Sequence, residues 1–388
     1  MKTLGNPTQR LRLGFVGGGL ESSIGSTHRY AANLDGHFEL VAGVFARDPA
    51  RNRAAAEAYG VAPDRAYPDF QTMAAAEAAR PDGIHAAAIM APNAVHVPAS
   101  LAFLDQGIDV ISDKPLAATL EEANTLLERV RRGPALHLLT HNYSGYPLIR
   151  EARELIASGA LGEVRLVQVE HAAGFGTHAL EQQGAKALMW RTDPSQAGAS
   201  SVLADVGVHA HQLLRFVTGQ EISEVSAELS TLVPGRASDD NAHVKLRLGN
   251  GARGMLWASF VAAGHRHGLQ LRVFGSKGSL YWHQEDPERL EVRYQDQPHQ
   301  ILRRGEAWLS ESARLSTRIK AGQPEGLLEA FANIYSEAAE RIRARREQRA
   351  PSAQSLLCPT AEDGLKGMNF IDACVRSDRA EGRWTEVF

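Results

Sequence analysis

Up to Thr140 the chain alternates short apolar runs with longer amphipathic or alanine-rich stretches. Leu11–Val16, Phe38–Phe45, Ile84–Met90, Ile108–Ser112 and Ala135–Thr140 each read as a buried strand. Between them lie helical segments with recognisable ends. One is helix-compatible from Ser26. A second opens at Asp48-Pro49, an N-cap with proline at the first helical position, and stops at Gly60. A third, Phe70–Arg80, is broken by Pro81-Asp82-Gly83, and a fourth, beyond the strand end Ala91-Pro92-Asn93, runs to Gly107. Thr119 with Glu122 makes a capping box for a fifth, through Arg131. Strands spaced by helices fold as right-handed βαβ units, which predicts an α/β doubly wound parallel sheet. Ligands of such sheets bind beyond the carboxyl ends of the strands. That directs attention to Gly17–Gly25, Pro92–His96 and Lys114-Pro115.

Beyond a helix from Leu148 to Ser158-Gly159 the pattern changes. Val164–His171, Ile222–Leu232, Ala242–Leu248, Ala252–Val261, Leu269–Phe274 and Leu280–Trp282 are β-rich, and Gly249-Asn250-Gly251 and Gly275–Gly278 are hairpin signals. They predict an α+β unit with an open-faced, mostly antiparallel sheet, one face free for a substrate site or a partner subunit. Two late helices, Leu327–Arg346 and Ala361–Arg376, are expected to pack on this sheet or back on the first unit. The boundary falls near Asn142–Gly145, giving residues 1–143 and 144–388.

Composition narrows the functional classes. The 388 residues suit two domains, 44% hydrophobic content supplies a core, and the net charge of -3 favours neither nucleic acid nor an anionic membrane. No run of about 18 apolar residues is present, so no membrane span is expected. The residues before the first strand hold no apolar signal-peptide core, and Cys358 and Cys374 form no CxxC pair. These features predict a cytoplasmic protein without a disulfide framework or zinc site.

Leu11–Gly19 followed by Ile24-Gly25 joins a strand, a glycine turn and a helix start, the parts of a pyrophosphate site. Lys114 is either a surface lysine at a loop start or an ammonium facing the same crevice, where it can donate to a substrate oxygen. If Ser201 onward is helical, Asp205 and His209 lie one turn apart on one face. They are then either a surface ion pair or a general base with the carboxylate that orients it. His211 falls off that face as a packing residue. His209-x-His211 and His265-x-His267 lack the further ligands of a metal site, so no metal is expected. His96 is a lone histidine near a helix start.

Taken together, Gly17–Gly25, Asp113-Lys114-Pro115 and Asp205-x-x-x-His209 resemble the Gfo/Idh/MocA family of sugar and inositol dehydrogenases. Ala91–His96, the Gly159–Glu163 turn and the Asp363-Gly364 helix extend the resemblance over nearly the whole chain. The resemblance implies a Rossmann domain binding NAD or NADP, an open-faced sheet domain, and dimers or tetramers acting on carbohydrates or cyclitols. Lys114, Asp205 and His209 match the family's catalytic lysine, aspartate and histidine. His209 would take a hydroxyl proton while Lys114 bonds the same oxygen. The expected cofactor positions are Gly17, Gly19, Leu20, Ile24, Gly25, Ala46, Arg47, Asp48, Pro92, Asn93, His96 and Lys114. The expected substrate positions are Lys114, Tyr143, His178, Trp190, Arg191, Asp205 and His209.

Two departures stand out. Gly25 comes three residues later than the third glycine of G-x-G-x-x-G should, so Leu20–Ser23 are expected to bulge. Ala46 replaces the acid that usually holds the ribose 2′-hydroxyl, with Arg47 and Asp48 beside it, which leaves NAD and NADP both open. Arg191 meets either an anionic substituent or a structural carboxylate, and Trp190 is either core or a sugar platform. Two other functions fit the same motifs. A redox glycosidase would recruit Tyr143, Tyr146, His171 or His178 as a further acid or base, and a dinucleotide-binding sensor would need no base at all.

Overall fold

The computed structural model describes residues 10–184 and 189–388. Five parallel strands form the first sheet: β1 (Leu11–Gly17), β2 (Phe38–Val44), β3 (Ala86–Met90), β4 (Asp109–Ser112) and β5 (His137–Leu139), in the order β2-β1-β3-β4-β5. All five residues of β3 are buried, as a central parallel strand covered on both faces requires. The connecting helices are α1 (Ser23–Leu34), α2 (Pro49–Ala58), α3 (Phe70–Ala79), α4 (Asn93–Asp105) and α5 (Leu120–Arg132). Asp48 and Asp69 cap α2 and α3, and Thr119 and Glu122 form the reciprocal capping box of α5. Helix α1 begins three residues before the expected Ser26, because Ser22 serves as its N-cap and accepts from the Gly25 N–H at 3.0 Å.

The second sheet has nine strands in the order β13-β12-β11-β10-β6-β9-β8-β7-β14. They are β6 (Val164–Ala172), β7 (Ile222–Ser230), β8 (Asn241–Leu248), β9 (Arg253–Ser259), β10 (Leu269–Gly275), β11 (Gly278–His283), β12 (Arg289–Tyr294), β13 (Gln300–Arg303) and β14 (Thr385–Glu386). Only β6 and β9 pair in parallel. The last three strands were not expected from the sequence. One face is packed by α6 (Pro147–Ala157) and α7 (Val208–Thr218), which bury Leu148, Ile149, Leu213 and Leu214. The other face leaves Leu166 and Met255 exposed.

The two late helices are α8 (Leu327–Arg346) and α9 (Ala361–Arg379). From α8, Phe331, Ile334, Tyr335 and Ala338 join Leu11, Leu13, Phe15, Phe38 and Ala88 in one hydrophobic cluster, beneath the first sheet. The Tyr335 hydroxyl meets His28 Nδ1 of α1 at 2.7 Å. Helix α9 packs against α5 and β7. Among the described residues no helix is long and apolar enough to cross a membrane.

Candidate active site

The glycine stretch builds a cradle in which side chains do not fit. Gly17 and Gly18 adopt φ of 86° and 73°, conformations that favour glycine. A Cβ on Gly17 would run into the Met90 carbonyl, and one on Gly25 would run into the backbone of Gly18. Gly25 therefore performs the third glycine's task of close helix–strand packing despite its late position. The residues gained in between form a bulge with Leu20 exposed at its tip. Above the cradle lies a groove of about 890 Å³ lined by Gly17, Gly19, Leu20, Ala46, Arg47, Asp48 and Pro92, among others. The free N–H groups at the start of α1 face the same end of β1, so the residues present fit a pyrophosphate-bearing dinucleotide.

A second cavity, of about 580 Å³, shares Ser22, Met90, Ala91 and Pro92 with that groove and opens between the two sheets. Ile24, Asn93, Lys114, Tyr143, Trp190, Arg191, Asp205 and His209 all line it. Lys114 reaches it from the end of β4, where Asp113 Oδ1 accepts from the Lys114 N–H and from Thr140 Oγ1. Lys114 Nζ donates to the Asp205 carbonyl at 2.5 Å and to Asp205 Oδ1 at 2.9 Å. The other carboxylate oxygen accepts from Arg191 Nε, also at 2.9 Å. Trp190 lies under the Arg191 guanidinium, whose centre is 4.4 Å from the ring centroid.

Asp205 sits in a π-helical turn, Leu203–Gly207, and not in a regular helix. The wider turn breaks the i, i+4 register, so Asp205 points to Lys114 and Arg191 and does not bond His209. The expected carboxylate–imidazole pair is thus replaced by a cation–carboxylate–cation bridge. Upstream, Asp239 accepts from Ser200 Oγ and from the N–H groups of Ser201 and Val202, fixing the entry to the turn.

Burial alone would raise the Asp205 pKa. The charges of Arg191 and Lys114, with their hydrogen bonds, override it and hold the carboxyl well below its ordinary range. His209 is driven well below 6.5, first by burial and then by Lys114, His171, His141 and His267. Its ring is neutral at physiological pH and able to accept a proton. Nδ1 of His209 is buried without a partner, and Nε2 is the ring atom left open to the cavity.

Residues 11–141 match the model of the oxidoreductase family with an NAD-binding Rossmann fold, and residues 149–281 match the GFO/IDH/MocA C-terminal domain. The chain belongs to the Gfo/Idh/MocA family of oxidoreductases. It is 34% identical over 379 residues to YfiI, an uncharacterised oxidoreductase of Bacillus subtilis, covering 97% of this chain and 96% of the relative. An inositol dehydrogenase homologue from Azotobacter vinelandii, solved with NAD+, superposes with a TM-score of 0.95 at 39% identity over the full length of both chains. A structure from the same organism with NADH and myo-inositol gives 0.91 at 38% identity, covering 98% of each chain. As a Gfo/Idh/MocA protein the chain is an NAD(P)-dependent dehydrogenase with its dinucleotide domain at the N-terminus.

Within this Gfo/Idh/MocA site several expectations need correction. His96 lines neither cavity. It is buried between two carbonyls, with Nδ1 2.7 Å from that of Pro115 and Nε2 2.8 Å from that of Ala91, and its neutral ring donates to one of them at the ends of β3 and β4. His178 is exposed outside the cavity, and its carbonyl accepts from Arg236. Asn93 does line the cavity, but its amide is spent on the Ala197 carbonyl. Arg191 lines the cavity and donates through Nε to Asp205, the structural carboxylate of the two partners expected for it. His211, by contrast, packs as expected, stacked on Phe370 at 4.6 Å. Among the described residues no group of three or more His, Cys, Asp or Glu is placed to hold a metal ion.

Sequence reasoning missed Asn142, Arg266, His267, Leu327 and Phe331 as lining residues, and placed His171 only as an optional acid or base. His267 Nε2 lies 2.7 Å from the Tyr143 hydroxyl, and its ring stacks on His171 at 4.6 Å. Alternation along β6 offered a signal for His171. The Arg266-His267 loop offered none.

Proposed function

We propose that this protein oxidises a secondary hydroxyl of a carbohydrate or cyclitol, reducing NAD or NADP. The observation that carries the reading is the meeting of Lys114, the Asp205 bridge and His209 in one cavity that continues into the glycine-cradled groove. The relative holding NADH and myo-inositol supports the substrate class.

An ammonium has three donors, and Asp205 takes two of those on Lys114, leaving one for a substrate oxygen. His209 Nε2 accepts that hydroxyl's proton, and the Lys114 charge offsets the negative charge developing on the oxygen. Asp205 positions Lys114 and Arg191. A bound nicotinamide dinucleotide supplies the hydride acceptor. Gly17, Gly19, Leu20, Gly25, Ala46, Arg47, Asp48 and Pro92 hold it, with Ile24, Asn93 and Lys114 at the substrate end. Tyr143, Trp190 and Arg191 shape the substrate pocket.

The cofactor and substrate units divide at residues 143 and 144. The outer sheet face, with exposed Leu166 and Met255 beside Glu170, Lys245 and Arg272, supports assembly into a homodimer or homotetramer. Two buried, unbridged cysteines fit a cytoplasmic setting. The test is a panel of inositols and sugars assayed with both dinucleotides, reading reduced dinucleotide. Oxidation should vanish in Lys114→Ala and His209→Ala, while NADH binding, followed by fluorescence, persists in His209→Ala and is at most weakened in Lys114→Ala. Undiminished oxidation in either variant overturns the assignment.

A further inference from the structure

The reacting hydroxyl accounts for Lys114 and His209, yet the same cavity carries a second set of polar groups that this chemistry does not use. His171 Nδ1 lies 3.1 Å from the Val206 carbonyl. A carbonyl only accepts, so Nδ1 carries the proton and Nε2 of the neutral ring is an acceptor. The ring is kept neutral by its burial, reinforced by the neighbouring His267 and only partly opposed by Asp205. Among the described residues Nε2 has no partner, and it is not sealed off like the orphaned nitrogens of His141, His209 and His267. Beside it, Tyr143 spends one side of its hydroxyl on His267 Nε2 at 2.7 Å, and the phenol keeps one further hydrogen-bonding valence.

The π turn sets this arrangement. The turn that delivers Asp205 to Lys114 also presents the Val206 carbonyl to His171, so one local distortion fixes the roles of both subsites.

We propose that His171 Nε2, with the Tyr143 hydroxyl, forms a second hydroxyl subsite, so that the protein selects substrates bearing a hydroxyl on the carbon next to the one oxidised. The inference rests on the dehydrogenase reading above. The His171 and His209 ring centroids are 5.8 Å apart, and Tyr143 is 4.7 Å from His209 and 6.0 Å from His171. At this separation, hydrogen bonds of about 2.8 Å to the two imidazoles fit oxygens carried by neighbouring carbons. The reacting hydroxyl donates to His209 and accepts from Lys114. Its neighbour donates to His171 and completes its bonding at Tyr143. A substrate lacking that neighbour leaves His171 Nε2 desolvated and unpaired, which is where the discrimination originates.

The test compares myo-inositol and D-glucose with their complete sets of monodeoxy analogues, in wild type, His171→Leu and His171→Asn. In wild type, removing the hydroxyl next to the oxidised carbon should lower kcat/KM by about tenfold or more, mostly in KM. His171→Leu should lose a similar factor on the parent substrate and no longer distinguish it from that analogue, while His171→Asn regains part of the discrimination. NADH binding by fluorescence should be unchanged in both variants. If wild type oxidises parent and analogue equally, or His171→Leu discriminates as wild type does, the second subsite is overturned and the dehydrogenase reading stands. Should His171→Leu fail to fold, the wild-type analogue series and His171→Asn decide. If no member of the panel is oxidised with either dinucleotide, the dehydrogenase reading fails and takes the subsite with it.

Discussion

Asp205 spans Lys114 and Arg191, giving one carboxylate oxygen to each cation at 2.9 Å. With only 12% of its side chain exposed, it is an anion shared by two positive groups. Asp205→Asn should therefore do more than remove an acceptor, because the negative charge that draws Lys114 towards Arg191 is lost. The expected loss in kcat is about 10²–10³, with dinucleotide affinity unchanged. Stopped-flow turnover alongside NADH fluorescence checks it.

The same carboxylate contributes to acid stability. Its folded pKa lies below the ordinary 3.8, so its stabilisation is complete above that value and is lost as pH falls through the folded pKa. Histidines act earlier. His28, His85 and His141 are each lowered to about 4, chiefly by burial, and His209 is lowered well below 6.5. The unfolded chain binds these protons first, so stability should fall as pH drops from about 6.5 towards 4 and stay level above 7. Melting temperatures across that range report it. Because the His209 base stays neutral, kcat/KM should not decline on passing from pH 7.5 to 6.5, unlike that of an exposed histidine base.

Gly25→Ala places a methyl group against the backbone of Gly18, and neither the strand end nor the helix can yield without moving the cradle. A destabilisation of about 1–3 kcal/mol is expected, together with at least tenfold weaker NADH binding. Thermal unfolding and fluorescence titration separate the two effects.

Arg150 is fully buried and meets Glu337 of α8 at 2.9 Å. Glu337→Ala strands that guanidinium in the core and should cost about 3–5 kcal/mol, read by urea unfolding. Substrate specificity should be unaffected in whatever fraction remains folded.

The legible parts of this molecule were those whose signals are local. Asp48-Pro49, Thr119 with Glu122, and the uninterrupted apolar run at Ile84–Met90 each declare an element within a few residues. Lys114 was legible because it closes a strand. Strand β12 was missed although Leu290 and Val292 alternate with charged neighbours, since two apolar residues make a weak pattern. The π turn could not be read at all. Asp205-x-x-x-His209 is compatible with an ordinary helix, and what holds the turn's entrance is Asp239, distant in sequence. His267 arrives at the cavity on a loop whose position depends on Glu285 accepting from the His267 and Gly268 N–H groups.

Helix α8, drawn from the far end of the chain, completes the core beneath β1, β2 and β3. During synthesis the strands that will cradle the dinucleotide emerge first, yet the cover of their underside stays incomplete until residues 327–346 have left the ribosome. The nascent first half must therefore wait with Leu11, Phe15 and Phe38 covered only in part, by alanines of α1 and α2. A chain truncated before Leu327 would be an aggregation hazard, and not a smaller cofactor-binding protein.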